Sequence, residues 1–83
     1  MDTHTLDARE RAALICQTAY ADVLGHEERW AVLGTIVERL GFARAEAAEA
    51  ASYAVEQGWV DVVGHPALWI KLQPKAREIL QGA

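Results

Sequence analysis

The stretch GFARAEAAEAASYAVEQGWVDVVGHPALWIKL, residues 41–72, decides how this chain folds. It opens with a glycine turn and continues as an alanine- and glutamate-rich segment, a composition with strong helix propensity. Two short runs of β-branched and aromatic residues follow, which favour strands. Gly64, His65 and Pro66 separate these runs and are typical of a turn. The pattern predicts a helix over residues 44–57 and then a tight two-stranded hairpin.

The apolar pattern of the hairpin also predicts its register. The predicted pairs are Val63 with Ala67, Val62 with Leu68, Asp61 with Trp69, Val60 with Ile70 and Trp59 with Lys71. This register gathers the aliphatic side chains on one face, with Leu72 continuing it. A slip of one residue places Lys71 opposite Val60 on the core face, which the two-residue alternation of a strand disfavours. The outer face is then expected to carry Trp59, Asp61, Trp69 and Lys71.

A first helix is expected before this stretch, beginning near Thr5 or Asp7. Asp7 and Glu10 form a capping-box pattern, and Gly25 is a stop signal. The apolar positions of this helix recur at helical spacing and include Cys16, which we expect to be a small buried hydrophobe.

Three further helical features complete the predicted order of elements. A second helix is expected over residues 27–40, with Trp30 in the core and Gly41 as its end. The third helix is expected to pack through a stripe of small residues, namely Ala47, Ala48, Ala51, Ala54 and Val55. Pro74 is a favourable first residue for a short final helix.

The length and charge of the chain limit the classes of protein to which it can belong. A chain of 83 residues forms one domain, residues 1–83, and buries only about 60–65% of its unfolded surface, so alanine-rich helices must pack closely. The net charge of −4 gives no general attraction to phosphate or to anionic membranes. The one net-basic region is residues 64–83, which contains Lys71, Lys75 and Arg77 against Glu78.

Several function classes are disfavoured by composition. One cysteine cannot form an intramolecular disulfide, and the polar N-terminus lacks the apolar region of a signal peptide. No apolar run approaches the roughly 20 residues of a membrane span, so the expected location is the cytoplasm. His4, His26 and His65 are scattered without metal-ligand spacing. No nucleophile–base pair or phosphate-binding glycine loop is evident, so we expect no enzyme activity, cofactor or metal.

The order helix, helix, helix, hairpin, helix resembles a winged helix-turn-helix domain over nearly the whole chain. The segment EQGWV (56–60) resembles the end of a recognition helix entering the first wing strand. The segment LWIKLQPKAREIL (68–80) resembles the one after the second wing strand in MarR-like and PadR-like regulators, with Gln73 and Ala76 in place of threonine and glycine. The resemblance implies a small, mostly helical α+β domain, a third helix in the DNA major groove, and homodimers.

Carried over by position, the resemblance implies a DNA-facing surface made of Arg44, Ala45, Glu46, Glu49, Ser52, Tyr53 and Glu56. A helix that reads bases normally presents Arg, Lys, Asn or Gln, whereas this one presents three glutamates and one arginine. Carboxylates near phosphate weaken binding, and few cations are present to release counterions. The candidate nucleic-acid contacts are Arg44, Ser52, Tyr53, Lys71, Lys75 and Arg77.

Two functions therefore remain open. The resemblance implies a DNA-binding transcription regulator, whereas the charge favours a module that binds another protein or itself. The candidate protein contacts are Glu46, Glu49, Glu56, Trp59 and Trp69, since a docking site for a basic partner needs acids and exposed tryptophans are enriched in interface hot spots. Otherwise the acids form a solvated helix face, and the final helix or the N-terminal residues cover one tryptophan.

Overall fold

The fold is a helical layer packed on a small antiparallel sheet. It is described here from a computed structural model, for residues 7–26, 29–64 and 67–81. The elements in chain order are α1 (Ala8–Asp22), β1 (Trp30–Val32), α2 (Leu33–Leu40), α3 (Arg44–Glu56), β2 (Val60–Val63), β3 (Trp69–Leu72), a 3-10 turn (Pro74–Ala76) and α4 (Arg77–Gln81). The predicted class, a small and mostly helical α+β domain, is confirmed.

The helix ends follow the local signals of the sequence. Asp7 Oδ1 accepts a hydrogen bond from the Glu10 N–H at 2.9 Å, and Glu10 Oε1 accepts one from the Asp7 N–H at 3.1 Å. This is the predicted capping box of α1. Gly41 and Gly58 end α2 and α3 with φ of 77°, a left-handed conformation that glycine adopts without steric cost. Pro74 opens the C-terminal helical segment, as predicted.

Strand β1 corrects the prediction for the second helix. The sequence predicts helix over residues 27–40, but the chain forms a strand at Trp30–Val32 and α2 begins only at Leu33. The cause is non-local, because β1 pairs with the free edge of β3, and such pairing overrides a weak local preference. Trp30 is 41% exposed rather than in the core. Glu27 and Glu28, expected in the first turn of that helix, lie outside the described residues.

The three strands lie in the order β1-β3-β2, and the hairpin register differs from the prediction by two residues. The observed pairs are Val60 with Leu72, Asp61 with Lys71, Val62 with Ile70 and Val63 with Trp69. A shift of two residues keeps every side chain on the same face, so the predicted inner face of Val60, Val62, Ile70 and Leu72 remains.

The physical reason for the shift is a longer connection between the strands. The Leu68 N–H donates to the Val63 carbonyl at 2.8 Å, and the Leu68 carbonyl accepts from the Leu33 N–H at 3.0 Å. Leu68 thus ends the connection instead of pairing within the hairpin, and its side chain is 59% exposed. His65 and Pro66, the predicted turn residues, lie outside the described part of the chain.

The core lies between α1, α3 and the inner face of the sheet. Its largest fully buried side chains are Trp59, Ile15, Ile36, Ile70, Val60 and Cys16. The predicted burial of Cys16 is therefore confirmed. Helix α3 contributes Ala47, Ala50, Ala51 and Ala54. Ala48 and Val55, which the predicted stripe places in the core, are exposed, so the buried face of α3 is rotated from the predicted one.

Trp59 is fully buried, which corrects its predicted place on the outer face of the hairpin. It lies just before β2 and its ring is covered from three sides. The Arg9 guanidinium lies 5.3 Å from the ring centroid, and the Tyr53 ring meets it edge-on at 5.8 Å. Its Nε1–H donates to Glu78 Oε1 at 3.4 Å. The final helix and the N-terminal helix thus cover one of the two tryptophans, as the alternative interpretation had it.

The two hairpin tryptophans should therefore differ sharply in their contribution to stability. Trp59→Ala removes a fully buried indole and is expected to cost about 3–5 kcal/mol of unfolding free energy. Trp69→Ala, on the exposed face, is expected to cost about 1 kcal/mol or less. Urea denaturation measures both, with Trp59→Phe as the variant that keeps the fold if the alanine variant unfolds. Equal losses for the two alanine variants would contradict the burial difference.

Candidate functional site

An open groove lies between α2, α3 and the connection of β2 to β3, and we call it the α2–α3 groove. Its volume is about 980 Å³. The lining residues are Leu33, Gly34, Val37, Glu38, Phe42, Arg44, Ala47, Ala48, Ala51, Ser52, Val55, Glu56, Val62, Gly64, Ala67 and Leu68. Most of these are aliphatic or small, so the groove is an apolar concave surface.

The apolar character of the groove continues to its exposed rim. Val55 is 41% exposed on α3, and Leu68 is the most exposed large side chain on the hairpin side. Val37, Phe42 and Val62 are half-buried between these rims. A concave apolar surface with few polar groups is the usual form of a binding site. The surface can accordingly contact an apolar ligand along both walls.

Short side chains on α2 and α3 keep the groove open. Gly34 and Ala48 are exposed on its walls, and Ser52 lies one turn beyond Ala48. A Cβ atom built on Gly34 meets nothing within 4 Å, so the space above this helix turn is empty of protein. The alanine-rich composition of α3, which permits close packing on α1, thus leaves the opposite side unfilled.

Two of the six predicted nucleic-acid contacts, Arg44 and Ser52, line the groove, and the other four lie elsewhere. Tyr53 faces α1, where its hydroxyl accepts a hydrogen bond from Arg9 Nη1 at 3.4 Å. The Lys75 side chain passes the other end of α3, 3.4 Å from a Cβ atom built on Gly58. The rise of a helix places Arg44 roughly 20 Å from that end.

Lys71 and Arg77 do not join this surface either. Lys71 lies on the outer face of the sheet with its Nζ 5.0 Å from the Trp30 ring centroid. Arg77 is exposed on α4, a helix that packs on α1. The six candidate residues therefore do not form one continuous basic patch.

The glutamates predicted as an acidic docking surface are divided between two sides of α3. Arg11 is buried on α1, and its guanidinium lies 3.7 Å from Glu46 Oε2 and 3.9 Å from Glu49 Oε1. Glu46 Oε1 also accepts the Ala43 N–H at 2.9 Å at the start of α3. Glu46 and Glu49 thus face α1, while Glu56 lines the groove.

The outer face of the sheet is a second exposed surface. The registers of both strand pairs place Trp30, Lys71 and Asp61 in one row and Val32, Trp69 and Val63 in the next. Trp69 is on the outer face, as predicted, and is 44% exposed. Lys71 covers part of Trp30, and Asp61 Oδ2 accepts a hydrogen bond from Gln73 Nε2 at 2.9 Å. This face is partly covered by its own lysine.

Comparison of the chain with family models, curated proteins and solved structures gives no match, so the winged-helix resemblance stays a prediction. Within residues 7–26, 29–64 and 67–81, no group of three His, Cys, Asp or Glu side chains is placed to hold a metal ion. No helix in the described part of the chain is long and apolar enough to cross a membrane.

Sequence reasoning missed most of the groove. The sequence predicts Ala48 and Val55 in the core because an alanine-rich helix shows nearly the same pattern on every face. Gly34 carried a weak signal, since a glycine inside a helix costs stability and commonly has a packing or functional reason. Leu68 is predicted on the inner face because the sequence places it within the second strand, whereas β3 begins only at Trp69.

The buried thiol of Cys16 gives a prediction about pH. Burial raises the pKa of Cys16 from 9.0 to about 12. Above about pH 9 the thiol ionises in the unfolded chain but not in the folded chain. Its contribution to the free energy of unfolding therefore falls as pH rises from 9 toward 12. The stability difference between wild type and Cys16→Ala should shrink over that range, as measured by urea denaturation.

Thiol labelling tests the same burial directly. At about pH 8, where an exposed cysteine is partly thiolate, a disulfide reagent should label native protein at least about 100-fold more slowly than protein in concentrated guanidinium chloride. Similar rates in the two conditions would show that Cys16 is accessible in the folded state.

Proposed function

We propose that this chain is a non-enzymatic protein-interaction domain that binds an apolar segment of another protein in the α2–α3 groove. The observation that carries the proposal is the exposed aliphatic lining, with Val55 on α3, Leu68 at the end of the hairpin connection, and small residues on the helix walls. Removing apolar surface from water yields about 25 cal/mol per Å², so a complementary apolar segment gains from filling the groove.

DNA binding is the second candidate, and the succession of three helices and a hairpin favours it. The charges of the same face disfavour it. Among the described residues that line the groove, Arg44 is the one cation, and Glu38 and Glu56 are acids. Phosphate binding gains affinity from each cation that releases a counterion, so one arginine against two carboxylates provides little.

Three arginines outside the groove are engaged within the protein. Arg9 lies over Trp59, Arg11 lies between two glutamates of α3, and Arg39 Nη2 lies 3.5 Å from Asp22 Oδ1. Turning any of them toward phosphate would give up these contacts. The charge arrangement thus supports a protein partner over a nucleic acid.

A matched pair of variants on α3 distinguishes binding in the groove from binding at any other surface of the protein. Ala48 and Ala45 are both exposed on this helix, but only Ala48 lines the groove. Ala48→Gln inserts a longer neutral side chain into the groove, whereas Ala45→Gln makes the same change outside it. Both keep good helix propensity, so we expect stability to change by no more than about 0.5 kcal/mol.

The experiment selects binders from a random peptide library of about 15 residues, a length that can form a helix. We expect the recovered peptides to bind wild type and Ala45→Gln, and to bind Ala48→Gln at least about tenfold more weakly, a difference of 1.4 kcal/mol. Amide NMR shifts should map the contact to residues of α2, α3 and Leu68.

The same NMR measurement with random duplex DNA at about 50 mM salt tests the second candidate, since phosphate contacts are strongest at low salt. We expect no salt-dependent shifts around Arg44. Peptides that bind Ala48→Gln as well as wild type, or DNA that shifts the groove residues when no peptide does, would overturn the proposal.

A further inference from the structure

The chemistry of the groove also indicates which kind of partner segment it binds. We infer that its occupant is an amphipathic α-helix of another protein that carries lysine or arginine beside its apolar face. This inference rests on the proposed function and adds two features to it, the conformation of the bound segment and the sign of its charge. Each feature follows from a different set of observations.

The conformation follows from backbone hydrogen bonding. Two walls of the groove are α2 and α3, whose own backbone groups bond within each helix, and the lining as a whole is mostly apolar. An extended segment would bury N–H and C=O groups there with few partners, at about 1–3 kcal/mol for each unsatisfied group. A helix satisfies these groups internally, so it can present only side chains to the groove.

The dimensions agree with a helix. A helix about 10 Å across occupies roughly 120 Å³ per residue, so a volume of 980 Å³ accommodates roughly two turns. Gly34, Ala48 and Ser52 lie on the walls and allow the backbone of an incoming helix to approach closely. The side chains of Val55 and Leu68 then remain to contact the apolar face of that helix.

The charge of the occupant follows from the two groove acids. Glu56 lies in the last turn of α3, where the helix dipole is negative and where this turn carries no basic residue. Neither Glu56 nor Glu38 is within ion-pair distance of a described cation. A cation on the occupant next to Glu56 would meet both the carboxylate and the end of α3. Arg44 lies at the opposite end of this helix.

The probes are two designed peptides of about four helical turns, each with leucine on one face. One carries lysine on the other face and the second carries glutamate there. Fluorescence anisotropy measures binding of each to wild type. We expect the lysine peptide to bind at least about tenfold more tightly than the glutamate peptide, which is 1.4 kcal/mol. A proline in the middle of the lysine peptide, which breaks a helix, should weaken its binding at least about tenfold.

Three variants with the same change in net charge locate the effect. Glu56→Gln and Glu38→Gln each remove a groove carboxylate, and Asp61→Asn removes one from the outer face of the sheet. We expect Glu56→Gln to weaken the lysine peptide about three- to fivefold, Glu38→Gln to act in the same direction, and Asp61→Asn to have little effect, since exposed pairs contribute at most about 1 kcal/mol.

The outcomes separate the inference from the proposed function. If Ala48→Gln blocks the lysine peptide but the three acid variants behave alike, the groove is the site and the charge preference is wrong. If the proline peptide binds as well as its parent, the helical conformation is wrong. If Ala48→Gln has no effect on any peptide, the proposed function itself fails.

Discussion

The burial of Trp59 is the constraint on which the rest of the structure depends. Its backbone N–H donates to the Ala54 carbonyl at 2.9 Å, and its carbonyl accepts the Gln73 N–H at 2.8 Å. These bonds join the end of α3, the start of β2 and the segment after β3, while the indole is enclosed by side chains of α1, α3 and α4. The position of α3 relative to the hairpin sets the width of the groove, so the candidate site depends on the backbone and side-chain contacts of this one residue.

The alanine-rich composition of α3 has opposite effects on its two sides. Towards α1, small side chains such as Ala50 and Ala54 let the helices approach until both residues are fully buried. Towards the hairpin, Ala48 is too short to reach the facing wall, and the space stays open. The ion pairs of Arg11 lie on the α1 side, which removes two of the three glutamates from the open face. The sequence of α3 therefore predicts an acidic helix surface, whereas the side of α3 that lines the groove is mostly apolar.

The features that the sequence predicted are the local ones. The capping box at Asp7 and the glycine end at Gly41 depend on a few neighbouring residues, and the structure confirms them. The features it missed need partners far along the chain. Strand β1 exists because β3 offers an edge, and Leu68, at the end of the hairpin connection, accepts a backbone hydrogen bond from Leu33. The sequence correctly predicts an exposed position for three residues of the candidate site, namely Arg44, Ser52 and Glu56. It does not predict the apolar lining of the groove.

The central claim is that the α2–α3 groove, and not the outer face of the sheet, is the surface that accepts an apolar ligand. Methyl NMR with increasing isopropanol, a small uncharged apolar probe, tests this directly, since such probes collect in concave apolar sites. The account predicts saturable shifts for the methyl groups of Val37, Val55 and Leu68, with weak linear shifts for Val32 and Val63. Saturation at Val32 and Val63 together with linear shifts in the groove would contradict it.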